Sequence, residues 1–262
     1  MSDTVSVVIG GTSGIGKAIS LRFAAEGGIV VVSGRSVARG EAVADEIAQR
    51  GARGKFMSCD VNDTNSVADL LSGVTRDFGT PTILVNSGGI LQSGTRVLDQ
   101  DLEENQRLWE TNYNGTLRAC QLFGRAMKEA RKGAILNIGS LASFAPLSLP
   151  AYTAGKTAIL SLTQMLAAEL GPFGVRVNGV APGYTLSDGL KDKIAQGLRN
   201  PEEIKATTAL RAFVEPEHVA EAAWFLCSEK AASITGVMLP VDAGWLVQAP
   251  YGSYMRGNPI RD

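Results

Sequence analysis

Short runs rich in Val and Ile alternate along this chain with longer amphipathic stretches. That rhythm predicts an α/β fold, a parallel sheet with helices on both faces. Strands are expected near Val5–Ile9, Ile29–Ser33, Gly54–Ser58, Thr82–Asn86, Ala134–Gly139, Val175–Ala181 and Gly236–Val241. Helices are expected over Gly14–Glu26, Val37–Arg50, Asn65–Phe78, Asp101–Arg131, Ala151–Leu170 and Pro216–Ser228. The run Ile29-Val30-Val31-Val32 is apolar without alternation, which predicts a strand buried on both faces. Two segments break the rhythm. Pro182 to about Ala206 follows a strand end with mixed polar and glycine content, and a loop of that kind is read as a lid, spanning about 182–210. Asp242–Asp262 has Gly, Pro and aromatics but no period, so its last part, 245–262, is expected to be a solvated tail or a subunit arm.

Composition narrows the function. At 262 residues with no Pro/Gly/Ser-rich linker, the chain is expected to form one domain over 1–262. With 45% hydrophobic and 19% charged residues it has the make-up of a globular core, not of a disordered chain or a fibre. The 25 basic and 26 acidic side chains leave a formal net charge of −1, so neither nucleic acid nor a membrane surface is an expected partner. Nor does any apolar stretch reach the roughly 18 residues of a membrane span. Residues 1–4 carry no basic n-region, so a secretory signal is not expected. A single histidine, His218, argues against His-rich metal sites and Ser-His-Asp chemistry, and no metal is expected. It sits in Glu215-Pro216-Glu217-His218, which reads as the start of a surface helix. Cys59, Cys120 and Cys227 are far apart and odd in number, which suits a reducing, cytoplasmic compartment.

The first strand runs into Gly10-Gly11-Thr12-Ser13-Gly14-Ile15-Gly16 and then a helix. Backbone N–H groups at such a helix start attract a pyrophosphate, and glycines let the backbone come close to it. The spacing is G-x-x-x-G-x-G, not G-x-G-x-x-G. About 20 residues on, where an acid would bind the ribose of NAD, the chain has Ser33-Gly34-Arg35. Arg35 is read as the partner of a 2′-phosphate, favouring NADP over NAD, or else as a solvated turn residue. In Cys59-Asp60-Val61, Asp60 either contacts the adenine amino group or caps the next helix.

At the other end of the chemistry, Tyr152 and Lys156 lie one helical turn apart. A nearby ammonium favours the phenolate, so such a tyrosine can serve as a general acid or base near neutrality. Ser140 follows a strand at the sheet's carboxyl edge, where its hydroxyl can stabilise charge on a substrate oxygen or simply occupy a turn. Asn112, a mediocre helix former inside a helical stretch, either bends the helix, holds a water or faces solvent.

Taken together, Gly10-x-x-x-Gly14-Ile15-Gly16, Asp60-Val61, Asn86-Ser87-Gly88-Gly89, Asn112, Ser140, Tyr152-x-x-x-Lys156 and Pro182-Gly183 resemble the motifs of the short-chain dehydrogenase/reductase family, over nearly the whole chain to about Gly244. The resemblance implies a Rossmann fold with a doubly wound seven-stranded parallel sheet. It implies an Asn112/Ser140/Tyr152/Lys156 tetrad: Tyr152 exchanges a proton with the substrate oxygen, Lys156 holds the ribose and lowers the tyrosine pKa, Ser140 orients the substrate and Asn112 supports a relay water. It also implies cofactor contacts from Gly10, Thr12, Ser13, Gly14, Ile15, Gly16, Arg35, Asp60, Val61, Asn86, Gly88, Tyr152, Lys156, Pro182 and Gly183. Thr185 and Ser187 would meet the nicotinamide carboxamide. A homotetramer or homodimer built on the helix bearing Leu162, Met165, Leu166 and Leu170 and on the long helix before it is the implied assembly; those four residues otherwise read as a core stripe. The chain departs from the family at Ile9, at Ser87-Gly88 and at Ser13, where some NADP-preferring members carry a base.

The expected activity is therefore NAD(P)-dependent interconversion of a secondary alcohol and a ketone in a small-molecule substrate, with sugars, polyols or small keto compounds slightly favoured. Gln92–Arg96, Ala142–Leu149, the lid and the tail are expected to wall the pocket, with Leu141, Phe144, Leu147, Leu149, Tyr184 and Leu186 making it largely apolar. Arg96 is a candidate for binding an acidic substrate. The rival readings are a non-catalytic dinucleotide-binding regulator or scaffold, and an epimerase or dehydratase.

Overall fold

A computed structural model describes residues 4–255. Seven parallel strands form one sheet: β1 (Val5–Ile9), β2 (Ile29–Gly34), β3 (Arg53–Ser58), β4 (Ile83–Asn86), β5 (Gly133–Ile138), β6 (Val175–Pro182) and β7 (Met238–Val241). Their order across the sheet is β3-β2-β1-β4-β5-β6-β7. The order reverses beside β1, whose neighbours are β2 and β4. A crevice opens at the carboxyl ends of the strands at such a reversal, and ligands bind there.

Both faces of the sheet are dry, for a reason visible in the strands. Val8, Val30 and Val32 project to one side and pack with Ile19, Phe23, Val219 and Trp224. Val5, Val7, Ile9 and Val31 project to the other and pack with Val67, Leu70, Phe123 and Met127. An uninterrupted apolar run serves two cores at once because successive side chains alternate between faces. The helices that supply them are α1 (Gly14–Ala24), α2 (Val37–Gln49), α3 (Thr64–Phe78), α4 (Leu102–Trp109), α5 (Gly115–Ala130), α6 (Pro150–Leu170), α7 (Asp188–Ala195), α8 (Pro201–Ala206), α9 (Pro216–Cys227) and α10 (Trp245–Met255).

Three features differ from the sequence expectation. The stretch expected as one helix over Asp101–Arg131 is interrupted by a π-helical turn, Glu110–Asn114, between α4 and α5. The segment after Pro182 contains α7 and α8; α8 is capped by Asn200, whose Oδ1 accepts from Glu202 N at 3.0 Å with Pro201 at the first turn. The segment expected to be aperiodic holds α10, because Asp242 accepts from Gly244 N at 2.8 Å and Leu246 N at 2.9 Å. The tail beyond Met255 lies outside the described residues. Among the described residues no helix is long and apolar enough to cross a membrane, and no His/Cys/Asp/Glu cluster could hold a metal ion.

Candidate active site

A cleft of about 710 Å³ opens at the carboxyl edge of the sheet. One wall is the turn from β1 into α1. Gly10 N donates to Ser33 O at 2.8 Å, which ties the turn to β2. Gly10 has φ +80°, and a Cβ there would stand 2.4 Å from Gly88 N. A Cβ on Gly16 would stand 2.0 Å from Gly10 O. The turn can close only with hydrogen atoms at these positions, and its backbone then faces the cleft at the positive end of α1. Such a cradle fits a pyrophosphate.

Thr12, Ser13, Gly14, Ile15, Arg35, Asp60, Val61 and Gly88 also line the cleft, as do Pro182, Gly183, Thr185 and Ser187 on the opposite side. Of the residues expected to bind cofactor, only Asn86 stands outside it. Its side chain is buried and donates to Asn137 Oδ1 at 2.9 Å and to Cys120 Sγ at 3.3 Å, so it joins β4 to β5 instead of facing a ligand. Asp60 turns its Oδ1 to Asn62 N at 3.0 Å, a local turn contact, while still lining the cleft. Arg39, one helical turn beyond Arg35, lines it too. A second arginine close behind Arg35, in the first turn of the helix that follows β2, was the available signal.

Ser140, Tyr152 and Lys156 meet where β5 ends and α6 begins. Burial pushes the Tyr152 phenol above its ordinary pKa, and its contact with the Ser140 side chain works in the opposite direction. Lys156 Nζ lies 5.6 Å from the centre of the tyrosine ring and donates to Ile138 O at 2.7 Å. Burial holds the Lys156 ammonium down to about 8. The expected relation between the pair is thereby altered: Ser140, not Lys156, is the group that favours the phenolate here, because the amine is turned to a backbone carbonyl. Ser143, also buried, accepts from Ser140 N at 3.3 Å and donates to Lys156 O at 2.8 Å, fastening the strand end to α6.

Asn112 lies in the π-helical turn, buried and not lining the cleft. Its Oδ1 accepts from Ile90 N at 2.8 Å and its Nδ2 donates to Ile90 O at 2.9 Å. Of the three readings the bend is the one seen: the widened turn aims the amide at the β4 loop, a frequent use of π-turns. The solvent-facing reading is wrong, since the residue is buried.

Other expectations also change. Arg96 is exposed and off the cleft, as is Phe144, and Leu186 and Gln92 do not line it. Ile90, Leu91, Leu141, Leu147, Leu149, Tyr184, Leu190 and Trp245 supply the apolar wall, and Lys193 and Arg199 of the post-β6 segment join it. Five cationic side chains, Arg35, Arg39, Lys156, Lys193 and Arg199, face this space with one carboxylate, Asp60. Gly189, Leu190 and Lys193 share one face of α7, a three- and four-residue spacing that only becomes a signal once the helix is known. Met165, expected in the core, is 56% exposed while Leu162 and Leu170 are buried. His218 is exposed and its Nδ1 accepts from Glu215 N at 3.2 Å, a helix-start contact. All three cysteines are buried and free, and burial pushes Cys59 up to about 11 and Cys120 and Cys227 up to about 12, so none is a nucleophile.

Comparison with known proteins agrees with this geometry. The family model described as enoyl-(acyl carrier protein) reductase matches residues 10–246. D-threitol dehydrogenase of Mycolicibacterium smegmatis is 35% identical over 246 residues, 93% of each chain. A solved structure named ribose-5-phosphate isomerase, from Brucella melitensis, superimposes with a TM-score of 0.93 at 34% identity, covering 100% of this chain and 98% of that one. A second, described as a short chain dehydrogenase/reductase family protein, gives 0.84 at 36% identity over 94% and 99%. The isomerase name belongs to that protein; the reductase model, the dehydrogenase relative and the seven-stranded order all bear on this one. The chain belongs to the short-chain dehydrogenase/reductase family and is an NAD(P)-dependent oxidoreductase of that type.

Proposed function

We propose that this protein interconverts a secondary alcohol and a ketone by hydride transfer, with Tyr152 as the acid/base. The observation that carries the reading is the Ser140–Tyr152 contact, beside Lys156 and at the mouth of the glycine cradle. The bound dinucleotide supplies the hydride acceptor or donor. The residues of this chain do the rest. The β1–α1 turn offers backbone donors to the pyrophosphate, and Arg35 with Arg39 offers cations to a ribose 2′-phosphate, which supports NADP over NAD. Ser140 donates to the substrate oxygen and Tyr152 takes its proton during oxidation or returns it during reduction. Lys156 holds the ribose and, when charged, stabilises the phenolate while the single hydroxyl proton of Ser140 serves the substrate oxygen. Asn112 acts indirectly, fixing the loop after β4 through Ile90.

For the substrate, a small polyol or keto compound stays the first reading, supported by the D-threitol dehydrogenase relative. A second is favoured by a specific feature: Lys193 and Arg199 line the cleft and make no ion pair among the described residues, against a largely apolar wall. That suits a substrate with an apolar body and an acidic group, the role the sequence had given to Arg96. Turnover of D-threitol, of neutral cyclic alcohols and of their carboxylate counterparts, each with NAD and with NADP, tests all three points through nicotinamide absorbance. Oxidation of none of them, in either cofactor, would overturn the reading.

The compartment and the assembly belong to the same proposal. Three free buried thiols support a reducing, cytoplasmic setting. The exposed Met165, between buried Leu162 and Leu170 and beside half-buried Leu166, supports a homotetramer or homodimer in which α6 is covered by a second copy. Light scattering of the purified protein tests this, and a monomeric mass would count against it.

A further inference from the structure

The helix that carries Tyr152 begins without a cap of its own. Leu149 stands at the cap position with no side-chain hydrogen bond, and Pro150 has no N–H to give. The first free donors of α6 are therefore those of Ala151 and Tyr152, since Thr153 N already donates to Leu149 O at 2.8 Å. Gln92, 60 residues earlier in the chain, fills the gap: its Oε1 accepts from Tyr152 N at 3.1 Å. Gln92 is 8% exposed, and its Nε2 donates to Gln100 Oε1. Gln100 in turn donates from Nε2 to Asp101 O at 2.7 Å, and Asp101 caps α4. A relay of two amides thus runs from the start of α4 to the backbone of the tyrosine itself.

We infer that Gln92 is a positioning residue: its side chain caps the first turn of α6 and thereby sets the reach of the Tyr152 hydroxyl toward Ser140. The inference rests on the reading of Tyr152 as the acid/base. A cap on this turn matters more than an ordinary one, because Tyr152 is the capped residue. A frayed first turn displaces the phenol from the group that opposes the effect of its burial. Thr95 N donates to Ser148 O at 3.0 Å, a second tie between the same loop and the segment entering α6, so removing Gln92 loosens the turn without detaching the loop.

The test compares Gln92→Met, which removes the acceptor and keeps the bulk, with Gln92→Glu, which keeps an acceptor for Tyr152 N at the same reach while giving up the donor to Gln100 Oε1. It uses the full chain and the best alcohol from the turnover panel. Gln92→Met is expected to lower kcat by about ten- to a hundredfold, with the KM for the dinucleotide within about twofold. The rise of alcohol oxidation with pH is expected to move to higher pH, because a phenol without Ser140 ionises later. Gln92→Glu is expected to restore kcat to within about threefold of the parent. Hydrogen exchange at the Tyr152 amide is expected to quicken in the first variant and not in the second. An unchanged kcat and pH limb in Gln92→Met, or equal losses in both variants, would overturn the inference. Should Gln92→Met not fold, a Gln92→Glu enzyme that keeps the parental protection of the Tyr152 amide but has a tenfold lower kcat would overturn it as well, and one with parental kcat and protection would support it. Tyr152→Phe, run alongside, separates the two failures: turnover within tenfold of the parent there refutes the acid/base reading, whereas a loss of about a thousandfold in Tyr152→Phe with silent Gln92 variants refutes only the cap.

Discussion

The two sides of the cleft are built on different principles. The β1–α1 turn is made of backbone: Gly10 and Gly16 sit where a Cβ would fall within 2.4 Å and 2.0 Å of other backbone atoms. The post-β6 side is made of side chains on short helices. The bridge between Thr185 and Val214, with Leu186 N donating to Val214 O at 2.8 Å, ties the two ends of that segment together at its base. Beyond the bridge its residues are mostly exposed, and a Cβ on Gly189 or Gly197 would meet nothing within 4 Å. Shape is fixed where backbone meets backbone, and latitude remains where exposed side chains form the wall. A backbone cradle tolerates almost no substitution, while a side-chain wall tolerates many and changes specificity with each.

The contrast can be broken first at its rigid side. Gly16→Ala is expected to be the most damaging of the glycine changes, costing about a hundredfold or more in dinucleotide affinity, because the new methyl group meets Gly10 O and no flexible atom can yield. Isothermal titration checks it, and retained affinity would mean the turn is not the cradle. Next comes Lys156→Met, which is expected to lower turnover by about a hundredfold. Its stability readout carries a sign. A lysine held at about 8 instead of 10.5 binds fewer protons folded than unfolded between those values, so the cost of burying it, roughly 3 kcal/mol, is fully present below about pH 8. That cost fades as pH rises toward 10.5. Wild-type stability should therefore gain from this group across that window, and the gain should vanish in Lys156→Met. Urea unfolding at several pH values measures this, and identical pH slopes in the two proteins would contradict it.

Smaller effects sharpen the comparison. Arg35→Ala is expected to raise the KM for NADP about tenfold and that for NAD by less than about twofold; equal changes would remove the 2′-phosphate assignment. Gly189→Ala on the permissive side is expected to leave dinucleotide affinity alone and to raise stability by about 0.5–1 kcal/mol, since the site is helical and open. A loss of stability there would show that the segment after β6 is packed more tightly than its exposure indicates.

The sheet was legible in the sequence because Val and Ile runs need burial on both faces, and the strand bounds differ from the expectation by two residues at most. The glycine turn and the Tyr152/Lys156 spacing were legible because each is local, a matter of neighbours along the chain. What escaped is non-local or hidden in short elements. For Asn86 and Asn112, named as site residues, the side-chain partners Asn137 and Ile90 could not be foreseen, since only the fold brings them near. The helices α8 and α10 were missed although Asn200-Pro201 and Asp242 carry capping chemistry, because no apolar period follows them. Lys156 was assigned the lowering of the tyrosine pKa from its spacing and from the family resemblance; its burial and its bond to the Ile138 carbonyl are features that only the fold reveals.

The most direct test removes one oxygen. Tyr152→Phe should bind the dinucleotide with wild-type affinity, because the cradle and Arg35 are untouched, while alcohol oxidation falls by about a thousandfold or more at every pH. Oxidation that persists within tenfold of the parent, still rising with pH along the same limb, would contradict the assignment of the proton to this phenol.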